Sequence, residues 1–278
     1  MADGRRGPEA GPAPYDRFAG QLADARRTGL RISAPTGRLP GDRFEAAMVQ
    51  RQTIARSGEP VAGWKVALHP DHGPVAAPIG HAAEAVDGVA AFDFASAEAL
   101  EVEIAFRLAR DLVPLKGRPH TEDTILDHVA SIHIGVEFIA HRLRPRDRSS
   151  FPLFLADRLG NGGYVLGPAI GRPLARALAG GPREGAGSIR LAFDGGTASV
   201  FDARHPDGNP FTPLLAFLNA PEGEAQDNGF WRFCAGQFVT TGSFCGAVPF
   251  MECSSVSVDW LGSLSIGLQI AEPAAIIS

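Results

Sequence analysis

The spacing of the apolar residues changes at Gly63, and that change sets the fold class. Upstream the spacing is helical. Phe18, Leu22 and Ala25 recur along one face of residues 15–29, and Gly29 is a suitable stop. Residues 42–57 repeat the pattern, with Asp42 as the N-cap, Phe44, Ala47, Met48 and Ile54 as the apolar face, and Gly58 as the terminator. Downstream, apolar residues alternate or form short runs between turn signals. Residues 64–68, 100–108, 135–139, 188–193, 197–201, 236–241, 255–260 and 264–270 read as strands, and the stretch carrying Pro70, Pro74 and Pro78 as a loop. Asp194-Gly195-Gly196 signals a hairpin, and Leu261-Gly262-Ser263 a turn between the last two strands. Helices are expected after Thr121, with Ile125, Leu126 and Val129 inward, and over 211–219. The expectation is an α+β chain: a helical N-terminal lobe over 15–60, then a β-rich body over 61–278.

A chain of 278 residues with 45% hydrophobic content can bury a sizeable core. The net charge is −5, and no block of lysine and arginine exists to track phosphates, which argues against nucleic acid. The Arg5–Arg6 pair is isolated. Three cysteines, Cys234, Cys245 and Cys253, include no C-x-x-C spacing, so a reduced, cytoplasmic setting is expected rather than a disulfide framework. No apolar run reaches the roughly 18 residues of a membrane span. Residues 1–14, rich in Gly, Pro and charge and lacking an apolar signal core, are expected to form a disordered tail.

The chemistry concentrates in Leu100-Glu101-Val102-Glu103-Ile104-Ala105-Phe106. Side chains alternate on a strand, so Glu101 and Glu103 share one face and Val102 and Ile104 the other. Such close carboxylates are tolerable in water, but in a concave site they call for a cation. A third acid, Glu137, lies in the apolar run around Val136, Phe138 and Ile139. Three carboxylates without neighbouring Cys or paired His suit a hard cation, Mg²⁺ first and Mn²⁺ as an alternative. By itself a Glu-x-Glu pair on a strand is more often a solvated face than a ligand set.

Several segments, in order, resemble the 2-keto-4-pentenoate hydratase / 4-oxalocrotonate decarboxylase group of the fumarylacetoacetate hydrolase superfamily. Gly63-Trp64-Lys65-Val66-Ala67-Leu68 is similar to its lysine strand, and Glu101-Val102-Glu103-Ile104-Ala105-Phe106, followed by Arg110-Asp111-Leu112, to its paired-glutamate strand. Glu137-Phe138-Ile139 with Arg142, Ala156-Asp157 with Val165-Leu166-Gly167, Thr241-Gly242-Ser243 and Asp259-Trp260-Leu261-Gly262 match further blocks. The resemblance spans roughly residues 15–270. It implies a β-rich fumarylacetoacetate-hydrolase-like fold, a divalent metal on Glu101, Glu103 and Glu137, and a small 2-oxo acid substrate. It also implies Lys65 in proton movement and substrate contact, further contacts from Arg142, Thr241 and Ser243, and a homo-oligomer. Read alone, Lys65 equally suits a surface cation covering apolar area.

The match breaks in informative places. The group's acidic pair between the lysine and glutamate strands has no counterpart in residues 78–84, where His81 or Glu84 could take its catalytic place; His81 is equally an ordinary loop histidine. Ala140-His141 stands where Asp-Ser is expected before Arg142, Arg158-Leu159-Gly160 where Asn-Ala-Ser is expected after Asp157, and Gly208-Asn209-Pro210 replaces Gly-His-Pro. These changes point to altered substrate or chemistry, or lost activity, and leave the metal ligands untouched. The expected activity is a lyase hydrating a small dienoic acid such as 2-hydroxypenta-2,4-dienoate. Oxalocrotonate-type decarboxylation, acylpyruvate-type C–C hydrolysis and non-catalytic oxo-acid binding are the alternatives.

Other signals carry less. Gly242-Ser243-Phe244-Cys245-Gly246 is not a nucleophile elbow, because the serine follows the first glycine directly. Gly160-Asn161-Gly162-Gly163 lacks a phosphate-loop ending and reads as a flexible turn. His128 and His133, read as lying on or just after a helix, suit structure better than metal.

Overall fold

The computed structural model describes residues 13–93, 97–115, 117–144, 150–171, 187–221, 231–260, 262 and 264–271. Most of the expected N-terminal tail, together with Leu261 and Ser263 of the last expected turn, lies outside them.

Two helices open the described chain, α1 (Asp16–Thr28) and α2 (Arg43–Ser57). Both end on left-handed glycines, Gly29 at φ 71° and Gly58 at φ 67°, whose N–H groups return to Ala25 and Ile54 carbonyls. The Asp42 carboxylate caps α2 by accepting from the N–H groups of Phe44 and Glu45. On α1 the buried face includes Phe18, Leu22 and Ala25. On α2 it is Ala46, Ala47, Val49, Gln50 and Thr53, so Phe44, Met48 and Ile54 are only half-buried. Small side chains face inward there because α2 packs against α1, α4 (Phe151–Ala156) and a sheet edge at once.

The strands are β1 (Gly63–His69), β2 (Gly73–Ile79), β3 (Ala82–Glu84), β4 (Val89–Asp93), β5 (Ala99–Leu108), β6 (Val129–Ile139), β7 (Asn161–Ile170), β8 (Ser188–Phe193), β9 (Ser199–Asp202), β10 (Phe238–Ser243), β11 (Val248–Pro249), β12 (Ser255–Trp260) and β13 (Leu264–Ala271). The first sheet runs β2-β1-β10-β5-β6-β7-β3, with β11 pairing β5; the second runs β4-β13-β12-β8-β9. This is the β-rich α+β architecture expected.

Where expectation and structure differ, the reasons are local. The proline-bearing stretch after β1 is a strand, not a loop: β2 pairs with β1 alone, and Pro74 and Pro78 are tolerated on that edge. α3 (Glu122–Leu126) is capped by Thr121 but ends before Val129, which begins β6. β6 therefore has eleven residues, and His133 lies in its middle rather than after a helix. The glycine-rich 160–163 stretch is buried, and Asn161 starts β7. The final helix, α5, is Phe211–Leu218.

The first sheet coils on itself. Ile79 on β2, Ala105 on β5, Tyr164 and Leu166 on β7 and Phe238 on β10 form one apolar cluster, although their strands are not all neighbours. Gly135 makes room for this interior: a Cβ there would lie 2.3 Å from the Tyr164 hydroxyl. The outer face of the same sheet, with Trp64, Val102, Ile104, Phe106, Val136 and Val239, packs against the second sheet and α5 in the largest core. Phe106 meets Phe211 at 4.8 Å and Phe244 meets Trp260 at 4.8 Å between ring centroids. Each such buried pair adds about 1 kcal/mol beyond its area term.

Candidate metal centre

The alternation that sends Val102 and Ile104 outward sends Glu101 and Glu103 into the coil. Cross-strand register completes the set: Glu101 stands opposite Glu137, and Glu103 opposite Gly135. One carboxylate oxygen from each of Glu101, Glu103 and Glu137 lies within 4.8 Å of the others. Glu103 and Glu137 are fully buried and Glu101 half-buried. β1 adds Lys65, whose Nζ is 3.0 Å from Glu101 Oε2 and 2.7 Å from Glu137 Oε2.

Supporting groups fix the carboxylates. Asn161 Nδ2 donates to Glu137 Oε1 at 2.9 Å. The Thr240 hydroxyl donates to Glu103 Oε2, and the Tyr164 hydroxyl reaches Thr240 at 3.5 Å. Glu103 Oε1 is buried without a hydrogen-bond partner.

The electrostatics follow from this crowding. Burial, then the charge of Glu137, pushes the Glu103 pKa well above the usual carboxylate range. Burial also raises Glu137, although Lys65 opposes it. For Lys65, burial works against the charge, but Glu101, Glu137 and Glu103 outweigh it and hold the ammonium above its ordinary pKa. With all three acids ionised, one ammonium leaves two negative charges in a buried place, the deficit a divalent cation would cancel. The donor set is all oxygen, and one buried carboxylate oxygen has no other partner, so the residues fit a hard divalent ion.

The fold has close counterparts among solved structures. 4-Oxalocrotonate decarboxylase from Pseudomonas putida G7, complexed with magnesium and adipate, is 16% identical; the match covers 92% of this chain and 97% of that one, with a TM-score of 0.65. The same enzyme complexed with calcium and acetate matches equally, with 96% of its chain covered. The chain shares the fold of that decarboxylase. A 2-hydroxyhepta-2,4-diene-1,7-dioate isomerase from Mycobacterium marinum is more distant, at 14% identity over 78% of this chain and 77% of that one, with a TM-score of 0.45. No protein-family model matches the sequence, and neither does any curated protein sequence.

On this fold, the structure brings together Glu101, Glu103, Glu137 and Lys65. His81 is exposed just before β3. Glu84 is exposed and ion-paired with Arg107, four residues and about 13 Å along β5 from Glu103. Arg142 is buried, and each guanidinium nitrogen faces a protein oxygen: Nη1 the Ala140 carbonyl, Nη2 the Asn161 carbonyl at 2.6 Å, and Nε the Asp157 carboxylate at 3.8 Å. Burial and then Arg26 bring its pKa down to about 9.

The Thr241-Gly242-Ser243 turn is displaced by one residue from its expected use. Thr240 stands opposite Ala105, on the face of β5 that carries Glu103, so its hydroxyl meets that acid; Gly242, at φ 138°, interrupts the register only beyond it. Thr241 points the other way and donates to the Pro210 carbonyl at 2.7 Å, while Ser243 donates to the Gly246 carbonyl at 2.9 Å.

Sequence reading missed Asn161, Thr240 and Tyr164. Tyr164 and Thr240 sit in strands of the required period, but which of their neighbours face the acids depends on register. Asn161 was hidden by its glycine neighbours.

Proposed function

We propose that the chain is a metal-dependent lyase acting on a small 2-oxo acid through its enol form. The observation that carries this reading is the convergence of three carboxylates and one lysine on the inner face of the coiled sheet. Glu101, Glu103 and Glu137 would hold the cation, which when bound supplies Lewis-acid stabilisation of the charge developing on the substrate's 2-oxygen.

The chain's own residues account for the rest. Asn161 and Thr240 orient Glu137 and Glu103, so the acids need not reorganise during reaction. Lys65 holds a proton beside Glu101 and Glu137, where it can hydrogen-bond the 2-oxygen and pass that proton towards the neighbouring carbon. The apolar lining of Ile79, Ala105, Leu166 and Phe238 limits water in the coil.

Hydration of a dienoic acid is the first reading, because most of the matched motifs belong to the hydratase subgroup. Decarboxylation is the second, and a specific observation favours it. Glu84, one candidate base, is exposed and ion-paired with Arg107, and loss of carbon dioxide needs only an electron sink and a proton donor, with no base to activate water. A solved structure of the same fold, a decarboxylase complexed with magnesium, supports the same version. The test is turnover of a panel of 2-oxo and 2-hydroxydienoic acids with Mg²⁺, following substrate absorbance and released carbon dioxide. Turnover should vanish with chelator and in Glu103→Gln. Metal-dependent ligand binding with no product from any acid would refute an enzymatic role.

A further inference from the structure

The helical lobe reaches the acids through one segment of chain. Residues 155–161 run from the end of α4 to the first residue of β7, Asn161, whose side chain holds Glu137. The lobe grips this segment repeatedly. Gln50 on α2 donates to the Leu155 carbonyl at 2.6 Å. Glu59, just past α2, accepts from Arg158 Nη1 at 2.7 Å. Arg26 on α1 donates through Nη1 to the Asn161 carbonyl at 3.1 Å, and through Nη2 and Nε to Glu59 at 3.1 and 3.3 Å. Leu155 and Leu159 join Phe18, Leu22 and Val49 in the lobe's own apolar core.

The segment needs that grip. Arg158, Leu159 and Gly160 occupy the left-handed region in succession, at φ 56°, 54° and 73°. Two of them carry side chains, and such a strained turn persists only where its surroundings over-determine it. Those surroundings are close-fitting. The Arg26 side chain is only 9% exposed, unlike the solvated arginine that commonly suits the dipole in the last turn of a helix. Glu59 is seated against backbone: a Cβ on Gly80 would lie 2.1 Å from its Cδ. From the other side Arg142, beyond β6, donates to the same Asn161 carbonyl at 2.6 Å. Asn161 is thus pinned between lobe and sheet, with its Nδ2 on Glu137 Oε1 at 2.9 Å.

We infer that Arg26 is a positioning residue for the glutamate cluster: by holding the Asn161 carbonyl it sets the Asn161 amide on Glu137, and so couples docking of the N-terminal lobe to the affinity of the acids for a cation. The inference rests on the proposal that the glutamates bind a metal. A carboxylate released from its supporting donor must reorganise when the ion binds, which lowers affinity. Such coupling is reciprocal, so the cation must tighten the lobe in turn.

The test is Mg²⁺ calorimetry on the full chain. Arg26→Met should weaken Mg²⁺ binding ~3–30-fold, with Arg142 retaining part of the hold on Asn161. Arg26→Lys, one ammonium for two partners, should recover some of the loss. In an Asn161→Ala background, which keeps the carbonyl but removes the amide, Arg26→Met should lower affinity no further. A second loss of full size there, or unchanged affinity in a folded Arg26→Met, would overturn the inference. The same two substitutions compared by denaturant unfolding in chelator follow the path without metal: their effects should be less than additive, and additive effects would overturn it. Absence of Mg²⁺ binding to the unmodified protein would remove the metal reading alone and leave the chelator comparison to decide the role of Arg26. Should no Arg26 variant fold, the unmodified protein decides: saturating Mg²⁺ should slow amide exchange in α1 more than in β9, the far edge of the second sheet, and equal slowing would overturn the coupling.

Discussion

Replacing Lys65 by methionine should make the stability of this protein depend on metal. The ammonium lies 3.0 Å from Glu101 and 2.7 Å from Glu137, the latter fully buried. At an effective dielectric of about 20, each contact is worth roughly 5–6 kcal/mol before desolvation. Desolvation offsets part of that, and breaking one side of a buried pair costs about 3–5 kcal/mol net. Methionine keeps the apolar stem, so the loss is electrostatic rather than a packing defect. For a chain of this size the cost corresponds to a fall in Tm on the order of 10 °C, read by thermal unfolding in chelator. Mg²⁺ at a hundredfold excess over its Kd would return about 2.7 kcal/mol. The variant should gain more from Mg²⁺ than the unmodified protein, because only in the latter is the acid cluster already partly neutralised. Equal Mg²⁺ shifts in both proteins, or a chelator Tm unchanged by the substitution, would refute the view that Lys65 is the built-in counter-ion of this cluster.

Three further outcomes are expected. Glu101→Gln and Glu103→Gln should each weaken Mg²⁺ binding at least tenfold by calorimetry; unchanged affinity in both would remove the metal centre. Gly135→Ala should cost about 1–3 kcal/mol in chemical denaturation, because the new methyl group meets the Tyr164 hydroxyl inside the coil; a neutral result would mean that the interior is looser than described. Glu59 should govern part of the acid sensitivity. Burial alone would raise its pKa, but Arg158 and Arg26 hold it at about 2, below the ordinary 4.5. Its stabilisation, on the order of 3 kcal/mol, is therefore complete above about pH 4.5 and lost as pH falls towards about 2. Glu59→Gln should be less stable at neutral pH and flatter across that acid window, and an unchanged slope in denaturant titrations would contradict this.

Local pattern fixed a good deal of the molecule. Helical spacing placed α1 and α2 and their glycine stops, because a helix repeats within a few residues and its caps are short-range. The Asp194-Gly195 turn between β8 and β9 was legible because its positive φ angles, 48° and 67°, suit those residue types. The shared face of Glu101 and Glu103 needed only strand alternation.

Tertiary structure decided the rest, since strand neighbours and sheet curvature are non-local. β2 is tolerated as a strand only because it is an edge. Glu137 meets Glu101 through the β5–β6 register, and Thr240 rather than Thr241 meets Glu103 because the β10–β5 register sets Thr240 opposite Ala105. Strand order sets Lys65 two strands from Glu101, within reach of the acids, while Glu84 is taken up by Arg107.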